Sequence, residues 1–234
     1  MTAAPLKTCV LIPAYREEAH IAPVVREARD YCPDVVVIDD GSPDDTAKVA
    51  AEAGAVVLAH VRNQGKGAAL QTGFDFARQN GFDLAVTLDA DGQHAPADIP
   101  AFRKAYERTR SPVIVGNRMG NVADMPWIRR LVNRFMSYML SRVMGQYVPD
   151  TQCGYRLYHR SAFPDQLYDP HSHRFAAESE ILLRLSLQGR KIGAVPIQTI
   201  YGNEKSKVRP LADTLRFIVM LRRFRKIKKE HLAA

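Results

Sequence analysis

The stretch Thr87-Leu88-Asp89-Ala90-Asp91-Gly92-Gln93-His94 closes an apolar run, Leu84 to Val86, with two carboxylates one residue apart, a glycine and an amide. The run reads as a buried strand, which puts Asp89 and Asp91 at its carboxyl end. Oxygen ligands at that place suit a hard divalent cation, Mg²⁺ or Mn²⁺, and such cations keep company with substrate phosphates. Asp89, Asp91 and Gln93 are the metal candidates. His94 is either a further polar ligand or a surface or capping residue. The plain alternative for the whole stretch is an acidic turn after a strand.

Other groups of residues offer related chemistry. Asp39 and Asp40, before Gly41-Ser42, stand where an α/β nucleotide fold places an acid against a ribose or base. A helix-capping turn is the alternative, although Ser42, Asp44 or Asp45 could supply the cap. The place of a dinucleotide-binding Gly-x-Gly-x-x-Gly holds Pro13-Ala14-Tyr15-Arg16-Glu17, which argues against a Rossmann dehydrogenase. Gly65-Lys66-Gly67 opens a helix whose amides and Lys66 favour an anion, or it is a simple glycine turn. Arg118, Arg129 and Arg130 present forked donors suited to phosphate, whereas Arg134 and Arg142 read as a solvated helix face. Asp150 sits in Asp150-Thr151-Gln152-Cys153-Gly154-Tyr155-Arg156. Glu178 and Glu180 open a helix and either cap it or, if the fold brings one to the metal side, act as a base. Lys205 to Arg209 is a polar loop that could close over a pyrophosphate, or a basic linker.

The elements that position these residues alternate. Strands are expected at Lys7–Ile12 (ended by Pro13), Val35–Ile38, Ala55–Ala59, Asp83–Leu88 and Pro112–Val115. Helices are expected at Glu17–Tyr31, after Asp44-Asp45-Thr46, at Lys66–Gln79 and at Pro96–Arg108. Trp127–Met144 is a long helix. Residues 150–200 hold a short polar segment, a helix from Ala177 to Gln188 and a strand from Ile192 to Ile197. Leu211–Lys229 is a basic amphipathic helix. This alternation predicts an α/β fold with a parallel sheet, whose ligands bind beyond the carboxyl ends of the strands. The polar, glycine-rich turns all fall on that rim.

Composition narrows the class. A chain of 234 residues that is 46% apolar fits one large globular domain. No apolar run approaches the roughly 20 residues that span a bilayer, and Met1 to Lys7 lacks the layout of a signal peptide. Cys9, Cys32 and Cys153 are scattered and fit reduced thiols. A cytoplasmic location, peripheral at the cytosolic membrane face, is therefore expected. The net charge of +8 is uneven, because seven arginines and lysines between Arg216 and Lys229 account for nearly all of it. That arm suits an anionic membrane, a nucleic acid or an acidic partner.

In order and spacing these motifs identify a resemblance to the family-2 glycosyltransferases of the A-type nucleotide-sugar fold, and within them to the dolichyl- or polyprenyl-phosphate sugar synthases. It rests on Ile12 to Glu17, Val37 to Ser42, Asn63 to Gly67, Asp89 to His94, Gly116-Asn117-Arg118, Asp150 to Arg156 and Ser206-Lys207, from Val10 to about Phe224. The resemblance implies a mostly parallel central sheet flanked by helices, a single catalytic domain over 1–210 and a basic amphipathic helix over 211–234. It implies that Pro13, Tyr15, Glu17, Asp39, Asp40, Lys66, Asp89 and Lys207 serve the nucleotide-sugar. It further implies that Asp91, Gln93 and Asp89 hold Mg²⁺ or Mn²⁺, and that Arg118 and Arg130 hold an acceptor phosphate. No Gln-x-x-Arg-Trp motif occurs, which favours a single transfer over polymer synthesis.

The expected reaction is inverting transfer of one sugar from a GDP-mannose or UDP-glucose type donor to a polyprenyl or dolichyl phosphate. A hydroxyl acceptor would instead need a base, Asp150 or Glu178. The rivals are a nucleotidyltransferase, which would release pyrophosphate, and a nucleic-acid-binding module driven by the basic arm. The second leaves the rim of carboxylates without a purpose, so no nucleic-acid partner is expected. The expected partners are the nucleotide-sugar, a lipid-linked acceptor, and a membrane surface or membrane protein met by the C-terminal helix.

Overall fold

The computed structural model describes residues 6–120, 125, 127–164, 177–198, 200, 217, 221, 222, 224 and 225. The strands are β1 (Thr8–Ala14), β2 (Val35–Asp39), β3 (Val56–Ala59), β4 (Leu84–Thr87), β5 (Val113–Asn117), β6 (Arg156–His159) and β7 (Ile192–Pro196). They form a seven-stranded sheet in the order β3-β2-β1-β4-β6-β5-β7. The helices include α1 (Ile21–Tyr31), α2 (Thr46–Glu52), α3 (Lys66–Gln79), α4 (Ile99–Thr109), α5 (Trp127–Met144) and α6 (Ala177–Leu187). Continuous apolar runs such as Val35–Ile38 are buried on both faces, the signature of a parallel sheet covered by helices.

The sheet departs from the sequence expectation in two places. The sheet is parallel except for β6, which runs antiparallel to both β4 and β5. This strand lies in what reads as a polar segment, because its first residue is an arginine and its last a histidine. Its reversed direction has a functional consequence: the residues just before it, 150–155, arrive on the same rim as the carboxyl ends of β4 and β5. The second change is at Pro13, which does not end β1. Val10 and Ala14 bond toward β2 while the Leu11 carbonyl accepts from Leu88 on the other side. By alternation Pro13 faces the β4 side, where paired residues stop at Leu11. Its missing N–H therefore breaks no ladder bond.

Helix α1 begins at Ile21, later than the expected Glu17. Arg16 takes a left-handed φ of 59°, and the Glu17 carbonyl closes the turn by accepting from His20 and Ile21. The residues between β2 and α2 pin this loop. Ser42 Oγ accepts from the Arg16 N–H at 3.0 Å and Thr46 Oγ1 from the Glu17 N–H at 2.9 Å. Asp44 accepts from the Thr46 hydroxyl and N–H.

Most of Leu211–Lys229 lies outside the described residues. Of that segment, Phe217, Leu221 and Phe224 are helical and buried in the core, spaced as one helical face.

Candidate active site

The loops that leave β1 to β5 and the loop that enters β6 meet at one rim of the sheet. Asp40, at the end of β2, is buried, and both its carboxylate oxygens are engaged. They accept from the Gln64 N–H at 2.8 Å and the Gly65 N–H at 2.6 Å, and Oδ1 also meets His60 Nδ1 at 2.8 Å. Gly41, with φ +68°, permits the close approach of this loop, since a Cβ there would stand 2.5 Å from the Arg62 carbonyl carbon. Asp40 is thus placed to hold the 62–65 loop that starts α3, rather than to receive a nucleotide. Its neighbour Asp39, also buried, accepts only longer contacts from the Ser42 N–H, at 3.3 and 3.4 Å. Across the loop, Tyr15 is exposed with the Arg16 guanidinium over its ring.

Lys66 enters the rim from the first turn of α3. Its Nζ lies 2.5 Å from Asp89 Oδ1 and 2.5 Å from Glu178 Oε1. Burial works against the ammonium, but the two carboxylates outweigh it and hold its pKa above the ordinary lysine range. Burial likewise opposes the charge on Asp89, and Lys66, His94 and Arg118 outweigh it and keep this carboxyl ionised well below the usual carboxylate range. Gly154 makes the convergence possible. A Cβ there would meet Glu178 Oε1 at 2.8 Å and both Asp89 oxygens at 2.9 and 3.0 Å. Gly154→Ala is therefore expected to push these carboxylates apart and lower kcat by about tenfold to a hundredfold, since displacement of about 1 Å at a reacting centre has such effects. Unchanged kcat in steady-state assays of this variant would remove Gly154 from the account.

His94 is buried instead of superficial, with its ring packed on Tyr155. Among the described residues its Nδ1 has no hydrogen-bond partner, and it lies 3.7 Å from Asp89 Oδ2. Burial takes its pKa down from 6.5 to about 4, partly offset by Asp89. Between those values the unfolded chain binds the proton and the folded chain does not, so stability falls as pH drops from 6.5 toward 4. The full contribution is about 3 kcal/mol. His94→Gln should flatten that part of the acid limb in urea titrations. An unchanged slope would show that the ring does not stay neutral.

At the end of β5 Arg118 is buried and bidentate with Asp150, Nε to Oδ2 at 2.7 Å and Nη2 to Oδ1 at 3.0 Å. Asp150 is 0% exposed and also accepts from the Gln152 N–H. This corrects the reading of Asp150 as a catalytic base, because a fully buried carboxylate with both oxygens held by an arginine is not open to a substrate proton. It also narrows Arg118: Nε and one Nη2 hydrogen are taken by Asp150, so the donors left to meet a ligand are the other Nη2 hydrogen and those of Nη1. Arg130, on α5, is exposed, and among the described residues no hydrogen bond or ion pair joins it to Asp89 or Arg118. Lys207 lies outside the described residues.

Arg156 carries weight that its place in a motif does not reveal. It is 0% exposed and donates to the carbonyls of Cys153 at 2.7 Å, Glu178 at 2.7 Å and Thr151 at 2.9 Å. One side chain therefore ties the 151–154 loop to the start of α6.

The residues at the end of β4 fit a divalent cation. Asp91 is half-buried at the rim, with one oxygen accepting from the Gln93 N–H at 3.0 Å. Asp89 has Oδ1 on Lys66, and Oδ2 faces His94 Nδ1 at 3.7 Å. Among the described residues no three His, Cys, Asp or Glu side chains close a metal cage. Mg²⁺ and Mn²⁺ take one or two carboxylates and complete their shell with phosphate and water. A cavity of about 420 Å³ lies elsewhere, lined by Arg78, Arg160, Phe163, Arg184 and Arg190 among others, and it shares no residue with the rim.

The chain is similar in sequence and fold to known glycosyltransferases. Residues 9–167 match the model of glycosyl transferase family 2. The UDP-N-acetylglucosamine–dolichyl-phosphate N-acetylglucosaminyltransferase of Methanococcus voltae is 33% identical over 213 residues, covering 82% of this chain and 85% of that protein. The polyprenol monophosphomannose synthase of Mycolicibacterium smegmatis is 29% identical, covering 82% and 76%. Among solved structures, glucosyl-3-phosphoglycerate synthase of Mycobacterium tuberculosis, in complex with Mn²⁺, UDP-glucose and phosphoglyceric acid, matches with a TM-score of 0.69 at 21% identity, covering 96% of this chain and 80% of that one. That likeness extends the fold over the whole sheet, β6 included, and the family match spans β1 to β6: the chain belongs to glycosyl transferase family 2.

Proposed function

We propose that this glycosyltransferase moves a single sugar, with inversion, from a GDP-mannose or UDP-glucose type donor to a polyprenyl or dolichyl phosphate. The observation that carries the acceptor is the state of the two carboxylates that could act as a base. Asp150 is paired with Arg118, and Glu178 with Lys66. A hydroxyl nucleophile needs such a base. A phosphate monoester is already ionised near neutral pH, with a second pKa of about 6, and needs only to be positioned. The names of the Methanococcus and Mycolicibacterium relatives point the same way.

In this reading Asp91, Gln93 and Asp89 would hold Mg²⁺ or Mn²⁺, which when bound supplies Lewis-acid neutralisation of the leaving diphosphate. Lys66 fixes Asp89 in its ionised form and sets its orientation. Tyr15, Pro13 and Glu17 line the donor side of the rim with Asp39, while Asp40 keeps the adjoining loop in place. Arg118, steadied by Asp150, offers its remaining N–H donors to an incoming anion, and Arg130 meets it from α5. Lys207 closes over the pyrophosphate. The domain works at the cytosolic membrane face as a peripheral protein. Among the described residues no helix is long and apolar enough to cross a membrane.

A second reading, transfer to a hydroxyl of a saccharide or lipid, is favoured by the solved neighbour, which by name makes glucosyl-3-phosphoglycerate and not a lipid product. The test is a panel of nucleotide-sugars with Mn²⁺ or Mg²⁺ and polyprenyl phosphate. The expected result is nucleoside diphosphate and glycolipid in equal amounts from one donor. Release of pyrophosphate would instead mark a nucleotidyltransferase.

A further inference from the structure

Helix α5 is amphipathic the wrong way round for a domain exposed only to water. Its inward face carries Asn133, Ser137 and Ser141 beside Leu140 and Met144, all buried. The two serines have partners: Ser137 Oγ accepts from the Thr151 N–H at 3.0 Å and Ser141 Oγ from the Val148 N–H at 3.0 Å. The outward face carries Trp127, Leu131, Phe135 and Tyr138, each between 56% and 73% exposed, with Ile128 and Val132 beside them. At 100° per residue these six side chains fall within one arc of about 140°. An apolar patch of that kind on a water-facing helix marks a contact surface.

The charges on α5 say what the contact is. The helix carries Arg129, Arg130, Arg134 and Arg142 and no acidic residue. Arg130 and Arg134 flank the apolar arc on one side, and Arg142 lies within it near the C-terminal end. In a two-fold dimer built on this face, the same arginines would oppose one another with no carboxylate of the helix between them. An anionic lipid surface satisfies both features, since the rings and leucine enter the headgroup boundary while the guanidinium groups meet phosphate. The C-terminal helix is a poorer candidate for insertion, because Phe217, Leu221 and Phe224 already pack into the core. We infer that the Trp127–Tyr138 face of α5 lies in the surface of an anionic bilayer. Through Ser137 and Ser141 the same helix holds the 148–151 loop, so docking would set the catalytic rim at a fixed height above the lipid. The inference stands whatever the donor or acceptor proves to be.

Trp127 is the only tryptophan in the chain and sits in the patch, so its emission reports the contact directly. The full chain would be mixed with vesicles of phosphatidylcholine alone, or with about a third phosphatidylglycerol, without donor or acceptor. The expected result is a blue shift with the anionic vesicles, and co-sedimentation that weakens at least tenfold in the double variant Leu131→Glu, Phe135→Glu. These positions are exposed, so circular dichroism should show an unchanged fold. Arg134→Gln with Arg142→Gln should reduce the preference for anionic lipid, and Lys226→Gln, Lys228→Gln, Lys229→Gln should leave the blue shift in place. Three outcomes would overturn the inference: no vesicle binding, binding through the tail with no change at Trp127, or a blue shift without lipid that tracks dimer formation in sedimentation.

Discussion

Asp91→Asn is expected to lower turnover by about a thousandfold while leaving the melting temperature within a few degrees of the parent. The carboxamide keeps the oxygen that accepts from the Gln93 N–H, so the turn after β4 survives. What is lost is the negative charge at the strand end. A metal's stabilisation of a leaving diphosphate amounts to several kcal/mol, and each 1.36 kcal/mol is a factor of ten in rate. Asp89 alone does not compensate, because its Oδ1 is already held by Lys66. The paired measurements are single-turnover rates and Mn²⁺ affinity by electron paramagnetic resonance. Both should fall together. A variant that turns over normally would place the metal elsewhere or dispense with it.

The largest effect on stability is expected from Arg156→Met. The side chain is wholly buried on β6, and its guanidinium serves the carbonyls of Thr151, Cys153 and Glu178. Methionine fills similar space but leaves those acceptors without donors in the interior. Hydrogen bonds from charged groups contribute about 1.5–3 kcal/mol each, so losing these three costs at least about 4 kcal/mol. For a domain of this size that corresponds to a fall in melting temperature of roughly 10 °C. Arg156→Lys keeps the charge without the fork, reaches fewer carbonyls and should fall between. Because the same side chain joins the Gly154 loop to the turn bearing Glu178, kcat should drop as well, even at temperatures where the variant is folded. A melting temperature unchanged within about 2 °C would contradict the account of this residue.

Strand-end chemistry was legible in the sequence because it obeys local rules. Apolar runs of four or five residues, each closed by a polar glycine-rich turn, mark parallel strands and the rim where ligands bind. Asp89, Asp91, Lys66 and Asp39 could be placed there from spacing alone. What could not be read were contacts across the chain. Nothing local announces that Glu178 reaches Lys66 over a gap of more than a hundred residues, or that Asp150 is taken by Arg118. Strand β6 escaped because a strand that begins with a buried arginine violates the apolar pattern, and only the carbonyls it meets in the fold explain that residue. His94 looked superficial because a lone histidine after a turn commonly is. Its burial depends on Tyr155, brought in by β6. For α5 the period was plain, but which face points inward is decided by the hydrogen-bond partners of Ser137 and Ser141.

The central claim is that an ionised phosphate, not a hydroxyl, attacks the sugar. The most direct measurement compares polyprenyl phosphate with the matching polyprenol as acceptor, using the donor that releases nucleoside diphosphate and following glycolipid by mass spectrometry. The account predicts a phosphodiester-linked glycolipid from the phosphate and none from the alcohol, with a rate that follows the acceptor's own second ionisation, near pH 6, and no carboxylate of the protein. Transfer to the polyprenol, with a rate that rises as a carboxylate is deprotonated, would contradict it and return a base to the site.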